Sequence, residues 1–106
     1  MALQSIARIS TCEGSRYLTR LCQHWSHNLA VEYTPTAGTV VFPRDARGAS
    51  WPGTARLPLA AHEDALECRL ESSAEGQHQA LKQAIARHLD RFAFREGTLA
   101  FGWQDL

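Results

Sequence analysis

No run of apolar residues in this chain approaches the length needed to cross a bilayer. The opening stretch, Met1 to Arg8, carries no hydrophobic core of the kind a secretory signal requires. Neither an integral membrane protein nor a signal-directed secreted one is expected. Charge of one sign is not in excess either: eleven Lys and Arg balance eleven Asp and Glu. A general nucleic-acid binder needs a basic surplus or a basic face, and electrostatic membrane attachment needs the same, so both classes are disfavoured. Cysteine is sparse. Cys12, Cys22 and Cys68 form an odd, widely spaced set with no CxxC pair, so no disulfide is expected and reduced thiols in a cytoplasm are the simpler reading. Also missing are GxSxG, a Walker-type loop, GxGxxG and a paired-carboxylate motif. No repeat, linker or low-complexity segment divides residues 1–106, which read as a single domain large enough to bury a core.

The remaining composition is that of an ordinary globular fold, 44% hydrophobic and 21% charged. Zero net charge favours self-association near neutral pH, and a homodimer is one expectation. Alternation predicts a strand over Leu3–Thr11. Ser15 is the expected N-cap of a helix over Arg16–Asn28, with Tyr17, Leu18, Leu21, Cys22 and Trp25 as its apolar face. Val31–Thr34 and Thr39–Pro43 predict a hairpin turning at Pro35–Gly38. The Gly- and Pro-containing loop that follows is expected to fold back on the body through Trp51. Thr54–Ala61 and Leu66–Ser72 predict a second hairpin. A second helix is expected from Ser73 to Phe94, stopped by Gly97, with a short closing strand over Leu99–Trp103. Strands bracketed by helices imply an α+β two-layer sandwich of β-α-β(4)-α order, an antiparallel sheet with both helices on one face.

Histidine placement is the feature that hints at chemistry. His24 and His27 on the first predicted helix and His88 on the second are the candidates. Leu81, Ile85, His88 and Phe92 share one line at i, i+4, i+7 and i+11, so His88 is expected to be largely buried and hydrogen-bonded. Arg20, His24 and His27 form a stripe bordering the first apolar face. If both helices rest on one sheet, His24 and His88 should meet across their seam, with His27 nearer solvent. Such a trio could hold zinc, although borderline histidines are more often satisfied by carbonyls or carboxylates. Arg87, Arg91 and Arg95 recur at i, i+4 and i+8, and Arg91 or Arg95 could hold a small anionic ligand. The bland alternatives are a structural core histidine and a solvated arginine face. Cys22 lies on the apolar side, turned away from His24, and reads as inert core.

Tyr17-Leu18-x-x-Leu21-Cys22-x-His24-Trp25-x-His27, followed by Arg87-His88-Leu89-x-Arg91-Phe92-Ala93-Phe94-Arg95-Glu96, resembles an uncharacterised bacterial family, domain of unknown function 2218. The resemblance implies a TATA-box-binding-protein-like arrangement. It also implies proximity to ferric-siderophore handling, because some members accompany or are fused to siderophore-interacting flavin reductases; a metal in the site would then be zinc or iron. Three readings follow. The leading one is a non-enzymatic accessory domain binding a ligand or metal between its helices through His24, His27, His88 and Arg91 or Arg95. The second is a small hydrolase or isomerase with His88 as general base. The third is a structural module dimerising through a hairpin edge.

Overall fold

A computed structural model of the protein describes residues 3–45, 48–93, 99 and 101–106. Eight elements follow in chain order: β1 (Leu3–Ser10), α1 (Gly14–Trp25), β2 (Ala30–Tyr33), β3 (Ala37–Phe42), β4 (Ala55–Ala61), β5 (Ala65–Ser72), α2 (Glu75–Phe92) and β6 (Gln104–Asp105). The strands form one sheet of order β2-β3-β4-β5-β1-β6, antiparallel at every pairing. This is the expected α+β two-layer sandwich.

Period-two alternation decides which side of the sheet is covered. Ala7 and Ile9 of β1, Val40 and Phe42 of β3, Leu57 and Leu59 of β4, and Cys68 and Leu70 of β5 are all buried. Both helices pack on that face. Tyr17, Leu18, Leu21, Cys22 and Trp25 of α1 are buried against it, as their spacing predicts. The opposite face carries Arg8, Arg56 and Arg69 with Glu67 and Glu71, and Arg8 pairs with Glu67 at 2.8 Å. Among the described residues no helix is long and apolar enough to cross a membrane.

Strand ends shift by one or two residues from expectation, and four larger differences have local reasons. α1 ends at Trp25, not Asn28, because the Ser26 hydroxyl donates to the Gln23 carbonyl and the chain turns at 26–28. Ser15 lies inside the first turn of α1. It does not cap; its hydroxyl donates to the Pro35 carbonyl at 2.6 Å and ties the helix to the β2–β3 turn. α2 starts at Glu75, later than Ser73. The Ser73 N–H donates to Gln77 Oε1 at 2.8 Å, a capping box displaced by one residue. Phe94 and Gly97 lie outside the described residues. The closing strand is not Leu99–Trp103 but Gln104–Asp105 against Ser5 and Ile6. Gly102, with φ at +51°, interrupts the extended run, and Phe101 and Trp103 stack with centroids 6.4 Å apart.

The loop between β3 and β4 is fastened to the start of α2. Ser73 Oγ accepts the Gly53 N–H at 3.0 Å and donates to Gln77 Oε1 at 2.6 Å, while Gln77 Nε2 donates to the Gly53 carbonyl at 3.1 Å. Trp51 thereby lies on α2 at Gly76, where an added Cβ would sit 3.0 Å from the indole ring. The loop folds back through Trp51 as expected.

Candidate functional site

Helix arithmetic brings the two sequences of interest together. His24 is one position before buried Trp25, so it stands at the rim of α1 and is exposed. His88 precedes buried Leu89 and stands at the facing rim of α2, half-buried and hydrogen-bonded. Their ring centroids are 4.9 Å apart. His88 also lies 5.0 Å from Trp25, which meets Phe42 edge-on at 5.1 Å. On the other side His24 approaches Phe92 at 6.5 Å, and the Arg20 guanidinium covers Phe92 at 5.7 Å. The seam is a ladder of rings from Arg20 to Phe42. His88 Nδ1 donates to the Ala84 carbonyl at 2.7 Å, one turn back, which fixes the proton on Nδ1 in the neutral ring.

The rest of the expected site does not assemble. The three-residue spacing brings His24 and His27 onto one face only while the helix continues, and α1 stops at Trp25. His27 is exposed in the turn beyond it. The zinc trio of His24, His27 and His88 is therefore corrected to a pair. Among the described residues no three His, Cys, Asp or Glu side chains gather as a metal site. Arg91 is exposed, and Arg95 lies outside the described residues.

Beside the ladder is an open groove of about 540 Å³, bounded by the end of α1, residues 77–88 of α2 and the Trp51 loop. Trp25, Phe42 and Trp51 wall it with Leu29, Leu81 and Ala84, and His88 and Arg87 stand on its α2 side. Arg87, not Arg91, is the α2 arginine that lines this groove. The sequence contains no local signal for this, since the groove exists only once the loop closes over α2.

A second histidine site went unread in the sequence. His78 of α2 is 2% exposed, beside Ser5 at 0% and Ser72 at 2%. Ser5 donates its hydroxyl proton to Asp105, whose carboxylate also accepts from Lys82 Nζ at 3.0 Å. The Ser5 oxygen can then only accept, so His78 Nε2 carries the proton and donates to it at 2.6 Å. Nδ1 accepts from the Ser72 hydroxyl at 2.8 Å. Burial, and secondarily the Lys82 charge, hold the His78 pKa below its ordinary value. The set mimics a Ser-His-Asp list without its chemistry. The carboxylate sits on the serine rather than on the imidazole, and the serine has no access to solvent. His78 shares a line with buried Ile85, Leu89 and Ala93, at i, i+7, i+11 and i+15.

Cys22 and Cys68 are buried free thiols, pushed up by burial to about 11 and about 12, and Cys12 is an exposed free thiol. Inert core is the reading that fits Cys22.

Residues 6–104 match the family model of domain of unknown function 2218, described as an uncharacterized protein conserved in bacteria. The NMR structure of PA4090 from Pseudomonas aeruginosa is similar at 30% identity and a TM-score of 0.72, over 96% of this chain and 95% of that one. No curated protein matches the sequence significantly.

Proposed function

This chain belongs to the domain of unknown function 2218 family, and we propose that it is a small-molecule-binding accessory domain whose ligand lies in the Trp25–Trp51 groove. The observation that carries the reading is the groove itself: a mostly apolar concavity of about 540 Å³, walled by three aromatic rings, with a few polar groups on one side. Ligand sites commonly have this build, at ~300–1,000 Å³. A binding role accounts for the site better than a hydrolase or isomerase does. The Nδ1 proton of His88 goes to a backbone carbonyl of its own helix, whereas in a triad-type general base that proton goes to a carboxylate.

The narrower form of the proposal links the groove to iron or siderophore handling. Two imidazoles leave a metal short of ligands, so a ferric chelate would have to bring its own donors. Three free thiols support a reducing compartment for such a role. The test is a two-dimensional NMR screen of small fragments and a ferric chelate against the whole chain. Binding in the groove would move the indole N–H signals of Trp25 and Trp51 and the His88 ring. A screen whose hits move only the outer face of the sheet, or that yields no hits, would remove the proposal. Groove binding by fragments but not by the chelate would remove only the iron-linked form.

A further inference from the structure

The geometry points to a ligand class: we infer that the groove selects a small planar aromatic carboxylate. This inference rests on the groove being the binding site. Its walls favour a flat apolar body, because the half-buried Trp51 ring lines it together with the small accessible parts of Trp25 and Phe42, against which an aromatic ligand can pack. Trp51 is held in place from behind. Its loop is pinned through Gly53, Ser73 and Gln77, and Gly76 gives its ring room on the helix.

Charge then narrows the class. Arg87 is the charged residue of the lining, and no carboxylate lines the groove among the described residues. Among those residues no acidic group pairs with Arg87. Asp90, the nearest acid along the helix, instead accepts the Leu99 N–H at 3.2 Å. An arginine at the rim of an apolar groove suits a carboxylate, which its planar fork engages through two parallel hydrogen bonds. A cation would find no counter-charge here. A bare phosphate would lose its hydration against aromatic walls with one cation in return.

The experiment compares three probes by NMR titration of the intact protein: 1-naphthoate, its neutral counterpart 1-naphthalenemethanol, and cyclohexanecarboxylate. Each is titrated against the wild type and Arg87→Gln. Arg87 is exposed, so the substitution should leave the fold intact, which the spectrum of the free variant checks. Naphthoate should bind wild type at least tenfold more tightly than either other probe, and Arg87→Gln should erase its advantage over the alcohol without weakening the alcohol. If the alcohol binds in the groove as tightly as the acid, or the acid's advantage survives Arg87→Gln, the ligand class is wrong and the groove reading stands. If neither aromatic probe moves the groove signals, both fall together.

Discussion

At the scale of single residues, the most constrained side chain is His78, where two ring nitrogens, two hydroxyls and a carboxylate settle one another's protons. Replacement of His78 by Leu strands the buried Ser72 hydroxyl and should cost about 1–3 kcal/mol, measured by urea unfolding. The pH dependence has a definite sign. The folded pKa lies below the ordinary value of about 6.5, so as pH falls the unfolded chain takes up this proton first. Stability from this site is complete above about pH 6.5 and declines below it. The difference between wild type and His78→Leu should shrink over that interval; a constant difference would mean that His78 is not held neutral by the fold. The same network predicts a tautomer exchange. In the wild type the proton sits on Nε2 because Asp105 claims the Ser5 proton. In Asp105→Ala, Ser5 is free to donate to Nε2, and the ring proton should move to Nδ1. Nitrogen-15 shifts of the His78 ring report this directly, and an unchanged tautomer would refute the assignment. His88 was legible and His78 was not for one reason. An apolar stripe on α2 is broad enough to include both the Leu81–His88–Phe92 line and the His78–Ile85–Leu89 line. Only packing decides that the second faces the sheet while the first faces α1.

Elements were more legible than their ends. Each of the two helices and the four hairpin strands has its own periodicity, and each formed where that periodicity placed it. Ends depend on local side-chain competition that periodicity does not contain: Ser26 turning back on Gln23, or Gln77 reaching past the N-cap to Ser73. The groove depends on one such detail, the contact of Trp51 with Gly76 in the first turn of α2. Alanine in a helix is worth about 1 kcal/mol over glycine. At Gly76, however, its methyl would press on the indole ring from 3.0 Å. Gly76→Ala should therefore shift Trp51 while changing global stability by less than about 1 kcal/mol, the gain in propensity offsetting the contact. Tryptophan emission and the Trp51 indole N–H signal measure the first, and urea unfolding the second. A variant stabilised by the full increment with an unmoved indole would show that the ring does not bear on the helix there.

At the scale of the whole molecule, alternation and element order were enough to imply a two-layer fold, because one-sided burial leaves few other layouts for two amphipathic helices and an antiparallel sheet. They did not contain the sheet order. β1 joins β5 across most of the chain length, and the short β6 covers only Ser5 and Ile6. The two buried thiols give a direct test of how far that arrangement behaves as one unit. Cys22 lies on α1 and Cys68 on β5, both fully buried, while Cys12 is exposed before α1. Reaction with a disulfide reagent needs the thiolate and contact with solvent. Burial denies the second and, by raising the two thiols to about 11 and about 12, suppresses the first. Near neutral pH the native protein should thus release the colour of one thiol quickly, and denaturant should reveal three. The slow phase carries the further information. If the helices and sheet open only together, Cys22 and Cys68 should be labelled at the same rate, and that rate should rise in parallel for both as urea is added. Peptide mass analysis of partly labelled protein separates the two sites. Faster labelling of Cys22 alone would mean that α1 lifts from the sheet before the rest, and the groove it helps to wall would open with it.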